Sequence, residues 1–347
     1  MRVRDVFFGG IGVYLPDKVE SIDSAVDRGL FPADEIEARG YTGALVADQT
    51  PPPEMALNAA RDALKNGGVS PQDLAALLYA GVWHQGPDGW GPQYYLQRHL
   101  VGDELLAVEI RHGCNGTFSG IELAVGILRS APENRAALVT ASDNFGTRLF
   151  RRWDSGAQNS VMGDGAGAVV LTKDQGFARL LSICTASYSE LEEADRAGEP
   201  LFPPGITEGK VLDYKARYAA YGRQLLAADI GPELLVEHAR RNTGCLNQAL
   251  AEAEVSADDI KRVLIHNVGK GDAATYLSDL GFPMEKSTWD YGAGIGHIGA
   301  SDHLISLYHL LTTGQLEPGD YVLLAGMSPG VTYKAAVVQI LDVPSWA

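Results

Sequence analysis

Apolar and polar positions along the chain switch repeatedly between helical and strand spacing. MALNAARDALKNGG (55–68) carries apolar residues at helical intervals and closes on glycines, which predicts a helix. LAALLYAGVW (74–83) is an unbroken apolar run, the pattern of a buried strand, and LLAVEI (105–110) reads as another. VEIRHGCNGTFSGIELAVGIL then predicts a strand ending in glycine and a small-residue helix starting right after Cys114. RAALVTASDN (135–144) and GDGAGAVVL (163–171) complete this half as strands.

The second half repeats the order. NQALAEAEVSADDI (247–260) matches the helix and acidic turn, and KRVLIHNVG (261–269) the strand. GHIGASDHLISLYHLL (296–311) is a second small-residue helix, YVLLAGMSPG (321–330) parallels ALVTASDN, and TYKAAVVQIL (332–341) parallels GAGAVVL. Ala80 to Cys114 spans 34 positions and His266 to His297 spans 31; Cys114 to Ala141 spans 27 and His297 to Ala325 spans 28. Offsets this close predict an α/β fold of two duplicated halves, 1–180 with the nucleophile and 181–347 with the histidines. Cys114 and His297 then occupy equivalent helix starts, where open α/β sheets place their ligands. The segments 146–162 and 188–222 have no counterparts and read as loops or a subdomain covering the site or making a dimer contact.

Composition narrows the partners. Twenty-eight Lys and Arg against 44 Asp and Glu give a net charge of −16, with no basic cluster, so nucleic acid and membrane surfaces are not expected. Three cysteines in no CxxC spacing fit a reducing cytoplasm. The start MRVRDVFFGGIGVYLPDKVE reads as a first strand and turn rather than a signal peptide, and no run approaches the roughly 18 apolar residues of a membrane span. No His, Cys, Asp or Glu spacing follows a metal-ligand pattern, so neither a metal nor a tightly bound cofactor is expected.

Cys114 carries the chemistry. A thiolate on the first turn of a helix is favoured by unpaired N–H groups and the positive dipole end, which makes cysteine a nucleophile. Its own N–H and that of Gly330, in the GMSPGV loop, are the expected oxyanion donors. Trp83, His84, Trp90, Arg148, Arg151, Arg152 and Trp153 are candidate substrate contacts: aromatic faces suit sugars or polyketide rings, and arginines suit phosphate or carboxylate. The run RLFRRWD equally suits a solvated helix face, and His84 a buried structural histidine. His112, His238, His303 and His309 read as packing or surface residues.

Taken together, IGVYLPDKVES, HGCNGTFSG, GDGAGAVVL and GMSPGVTYKAAVVQ resemble the ketoacyl-ACP synthase III group of the thiolase superfamily over nearly the full length. The resemblance implies a five-layer αβαβα thiolase fold, a homodimer, and an acyl thioester on Cys114 formed from acyl-CoA or an acyl carrier protein. It places His266, in IHNVGKG, at the first catalytic histidine, with Asn267 beside it in the substrate-binding set. Where the family has a glycine–asparagine pair, this chain has Gly296-His297, followed by Asp302. That departure resembles the atypical Cys-His-Asp acyltransferases of antibiotic pathways, of the cervimycin malonyltransferase type, which move an acyl or malonyl group onto a hydroxyl. His297 oriented by Asp302 would serve as the base for such transfer, with His266 as the alternative. Asp302 after Ser301 also suits the helix dipole alone. Decarboxylative carbon–carbon condensation is the alternative reaction, and a non-catalytic scaffold is disfavoured because the nucleophile is retained.

Overall fold

The computed structural model describes residues 1–132, 135–228 and 231–347. Among these, the strands in chain order are β1 (Phe7–Tyr14), β2 (Val19–Ser21), β3 (Gly43–Leu45), β4 (Leu74–Ala80), β5 (Leu106–Ile110), β6 (Ala136–Asp143), β7 (Gly165–Thr172), β8 (Ala178–Ser187), β9 (Ile260–Leu264), β10 (Tyr321–Ser328) and β11 (Thr332–Ile340). β2 and β3 form a small ribbon, and the others one sheet in the order β5-β4-β6-β7-β1-β8-β11-β10-β9. On one side β4 runs parallel to β5 and β6, while β7 is antiparallel to β6 and β1. On the other, β9 runs parallel to β10, and β11 is antiparallel to β10 and β8.

The two sides mirror each other across a narrow seam, where only Phe7–Arg179 and Phe8–Ala178 pair. The counterpart of β5 shrinks to a single parallel bridge, Val263 to Ser287. The duplicated plan is therefore physical, and the expected division at 180/181 falls inside β8, the first strand of the second side.

Helices complete the layers. Helix Pro52–Gly67 covers the outer face of the first side, packing Met55, Ala59 and Ala63 with Leu77, Leu138 and Val170. Helix Gly231–Ala253 covers the outer face of the second, with Leu246 and Ala249 among Cys184, Ala335 and Val337. Between the sides lie helices Gly116–Ser130 and Asp302–Thr312, whose Phe118, Ile121, Leu304 and Leu307 share one apolar cluster with Val139, Val169, Leu180 and Val338. Burying each large side chain there is worth roughly 1.5–3 kcal/mol, so this middle layer anchors both helix starts. The result is αβαβα.

Segment 146–162 is irregular, as expected, apart from a 3-10 turn at Ala157–Asn159. Segment 188–222 is more helical than its polar sequence suggests, with helix Glu192–Arg196 and the start of helix Tyr214–Ala228. No helix among the described residues is long and apolar enough to cross a membrane.

Helix Pro52–Gly67 lies directly on β1 because Gly12 has no side chain; a Cβ there would collide with the Ala59 carbonyl oxygen. Gly12→Ala should therefore lower stability by about 1–3 kcal/mol, as overpacking does. Gly126→Ala, in an exposed helix position with open space around it, should raise it by roughly 0.5–1 kcal/mol. Thermal melting of the two variants checks both signs.

Candidate active site

Two helix starts meet at the middle of the molecule. Cys114 sits in the 3-10 turn Gly113–Asn115, between the end of β5 and helix Gly116–Ser130. A Cβ on Gly116 would lie 2.8 Å from the Ala80 Cβ and 3.4 Å from that of Ala300, so glycine lets this start nest between β4 and the opposing turn. The Thr117 hydroxyl donates to the Ala300 carbonyl at 2.6 Å, tying one start to the other.

His297 lies just before its helix. Its N–H donates to Val161 O at 2.8 Å, and Gly163 N–H donates to His297 O at 2.9 Å, so a short pairing with 161–163 holds the residue. The chain then passes through the 3-10 turn Gly299–Ser301 before helix Asp302–Thr312 begins. This detour answers the geometric difficulty of a five-residue offset, which a regular helix does not bring face to face.

The three side chains form a line. Cys114 Sγ lies 2.9 Å from His297 Nε2, and His297 Nδ1 lies 2.5 Å from Asp302 Oδ2. All three residues are buried. Asp302 also accepts from Asn267 N–H at 2.8 Å and Ile298 N–H at 2.7 Å, and from Asn267 Nδ2 at 3.3 Å. Burial opposes the carboxylate, but the His297 charge and its hydrogen bond hold Asp302 well below the usual carboxylate range. Burial likewise opposes charge on His297, yet Asp302 and Cys114 hold its imidazole well above the ordinary value. The resting arrangement suits an imidazolium beside the Asp302 carboxylate.

His266 takes a different place. Its Nε2 lies 3.3 Å from Asn115 Oδ1, while Nδ1 has no hydrogen-bond partner among the described residues and stands 3.8 Å from Asp302. Its ring sits 5.3 Å from that of His297, and burial lowers its pKa. His303 is buried with Nε2 on the Ala325 carbonyl, and burial pushes it down to about 3. His112, His238 and His309 make local contacts to Ser119, Tyr333 and Tyr291.

His266, His297 and Asp302 have ligand atoms within 4.8 Å of one another, a grouping the sequence spacing had not suggested. Two ligands of one tetrahedral zinc, each at about 2.0–2.2 Å, lie roughly 3.3 Å apart. The 2.5 Å gap between His297 and Asp302 is instead that of a shared proton.

Several expected contacts prove structural. Arg152 is buried, donating to Asp164 at 2.8 Å and to the Leu45 and Met162 carbonyls. Trp153 packs among Ile22, Tyr41 and Val161. Asn267 orients Asp302 rather than facing a substrate. Trp83 is buried, with its Nε1–H on Thr147 and its ring edge against His84 and Phe150; His84 is half-buried. Arg148 is exposed, Arg151 pairs with Asp213 on the surface, and Trp90 lies against Tyr95. The Gly330 N–H, expected to be the second oxyanion donor, is taken by the Asp195 carboxylate. A carboxylate is the stronger acceptor, so a thioester oxygen must displace it to use that N–H.

Asp195 belongs to the part of the site that sequence reading had not resolved. Its other oxygen accepts from the Tyr218 hydroxyl at 2.9 Å, and Tyr218 stacks on Tyr214. Burial first, and the nearby Cys114 next, push the Tyr214 hydroxyl up to about 12. Segment 188–222 thus lies over the cysteine. Its lack of a counterpart in the other half was the available signal.

Below it runs a connected set of spaces. An outer cleft of about 510 Å³, lined by Arg39, Lys215 and Asp272, shares Gln158, His238 and Met327 with an apolar cavity of about 180 Å³ under Tyr218 and Pro329. Gln158 and Met327 also border a narrow space reaching His266.

A cysteine at one helix start and a histidine–carboxylate pair at the other thus meet at the centre of a duplicated thiolase fold. Residues 108–189 match the family described as 3-oxoacyl-[acyl-carrier-protein (ACP)] synthase III, and residues 250–340 its C-terminal part. The chain is similar to the acyltransferase ChlB3, at 46% identity and a TM-score of 0.93, covering 99% of this chain and 100% of that one. It is 26% identical to the beta-ketoacyl-[acyl-carrier-protein] synthase III of Nitratidesulfovibrio vulgaris, over 95% of this chain and 97% of the relative. The corresponding enzyme of Aquifex aeolicus shares the fold, at 22% identity and a TM-score of 0.76, covering 96% of this chain and 99% of that one. The chain belongs to the ketoacyl-ACP synthase III group of the thiolase superfamily.

If Gly330 N–H stabilises the thioester oxyanion, Asp195→Ala frees it and should speed acylation of Cys114, read as protein mass against time with an acyl-CoA. An unchanged rate would exclude Gly330 as the donor.

Proposed function

We propose that this enzyme transfers an acyl or malonyl group from a CoA or carrier-protein thioester, through acyl-Cys114, to a hydroxyl of a sugar or polyketide natural product, without decarboxylation. The observation that carries this reading is the Cys114–His297–Asp302 line, with histidine where the condensing pattern has asparagine. The similarity to the acyltransferase ChlB3 supports the transfer class.

In this reading the Cys114 thiolate attacks the thioester carbonyl, the donor carbon–sulfur bond breaks, and the His297 imidazolium protonates the departing thiolate. His297 is then neutral, with Asp302 holding Nδ1–H and Nε2 free to accept. The acceptor hydroxyl gives its proton to Nε2 as its oxygen attacks acyl-Cys114, and expulsion of the thiolate restores the resting pair. The cleft shared by Gln158 and Met327 is the proposed route for the donor arm. No tightly bound cofactor takes part. A homodimer in a reducing cytoplasm fits the family and the three free cysteines.

One observation favours a second reading, decarboxylative condensation: His266 stands beside His297, giving two imidazoles near one carbonyl. Product mass after incubation with malonyl-CoA and a glycosylated polyketide decides. A product retaining the carboxyl group means transfer; carbon dioxide loss with a new carbon–carbon bond means condensation.

The base assignment has its own test. Cys114→Ala should abolish acyl-enzyme formation, whereas Cys184→Ala and Cys245→Ala should not. His297→Ala should acylate but stall, with deacylation slowed about 10²–10⁴-fold and the acyl-enzyme visible as an intact mass. Asp302→Asn should cost less. Normal turnover in His297→Ala with a stall in His266→Ala would move the base to His266.

A further inference from the structure

Asp143 ends β6, is fully buried, and has no part in the reaction above. Its Oδ1 accepts from Val82 N–H and Trp83 N–H, each at 2.8 Å, and from Gln85 Nε2 at 3.1 Å. These donors belong to the chain leaving β4. Its Oδ2 is buried and has no hydrogen-bond partner among the described residues. Folded proteins hold few such groups, and each calls for a reason. The opposing surface is Gly299, with φ +52°, where a Cβ would collide with Oδ2. Gly299 opens the 3-10 turn between His297 and Asp302.

We propose that Asp143 is a positioning residue for the Cys114–His297 pair, fixing the turn after β4 through Oδ1 and bearing through Oδ2 on the turn that carries His297 and Asp302. The proposal rests on the catalytic pair, not on which acyl group or acceptor the enzyme uses. Its electrostatics add a readout. Burial pushes the Asp143 carboxyl up to about 7, with the Trp83 and Val82 N–H groups and the His297 charge pulling against it. The charged or titratable groups facing it are His297, Arg111 beyond β5, and Tyr79 of β4, whose hydroxyl bonds Gln85. Asp143 is thus a neutral acid below neutrality and an anion above it. As an anion it favours imidazolium at His297.

The sign follows for Asp143→Asn, a near-isostere of the neutral acid. Carbon-13 NMR of [13Cε1]histidine-labelled protein, with the His297 signal identified by its loss in His297→Asn, reads the effect directly. Wild type and Asp143→Asn should coincide at the acid end and separate above neutrality, with His297 losing its proton at lower pH in the variant. Folding stability supplies a second sign. The folded carboxyl binds its proton more tightly than the unfolded one, so wild type should lose stability relative to Asp143→Asn as pH rises from about 4 to about 7, and hold level above. Asp143→Ala removes the acceptor for three donors. At pH 6 it should slow iodoacetamide alkylation of Cys114 about tenfold, while Asp143→Asn stays near wild type. Identical His297 titration in wild type and Asp143→Asn would overturn the proposal, and so would an Ala variant that alkylates like wild type. Should the Ala variant fail to fold, the Asn titration decides alone. A protein that titrates as expected yet gives no transfer product would fault the transferase reading instead.

Discussion

The close approach of two helix starts is the constraint on which the site depends. Gly116 has no side chain, so the cysteine helix settles against Ala80 and Ala300, and the Thr117 hydroxyl locks to the Ala300 carbonyl. Only then does Cys114 Sγ come within 2.9 Å of His297 Nε2. Each start is carried by a helix buried between the two sides of the sheet, so the packing of the middle layer sets the distance between the Cys114 sulfur and the His297 ring. Catalytic proton transfer tolerates little error in that distance.

Charge is arranged around the same point. Asp302 gathers the Asn267 and Ile298 N–H groups, the Asn267 side chain and His297, so it stays ionised despite burial. His297 is therefore held charged between two acceptors, whereas His266 and His303, buried without comparable support, are driven toward the neutral form. Three neighbouring histidines thus differ in role because their partners differ. A carboxylate behind an imidazole favours its charged form and fixes which ring nitrogen keeps the proton.

The family likeness and the departure from it concern different parts of the molecule. The fold and the cysteine turn are shared with the ketoacyl synthases at 26% identity or below, and with ChlB3 at 46%. Position 297 carries the departure read from the sequence, and beside the cysteine Tyr214, Tyr218 and Asp195 form a polar cluster.

The sequence by itself determined the alternation of elements, the duplication, the cysteine at a helix start and the His297–Asp302 pair. These follow from local periodicity, matched offsets and residue chemistry, all written in the order of the chain. It did not determine where the polar side chains end. Arg152 and Trp153 look like a substrate wall in RLFRRWD, yet Asp164 nearby and Leu45 and Tyr41 far back along the chain absorb them into the core. Asn267 turned to Asp302, and the Gly330 N–H to Asp195, 135 positions away. Asp143 gave no signal in TASDN, because its isolation at Oδ2 exists only where β4, β6 and the histidine turn converge. A hydrogen-bonding group takes whichever partner the fold brings within about 3 Å, and that choice is tertiary.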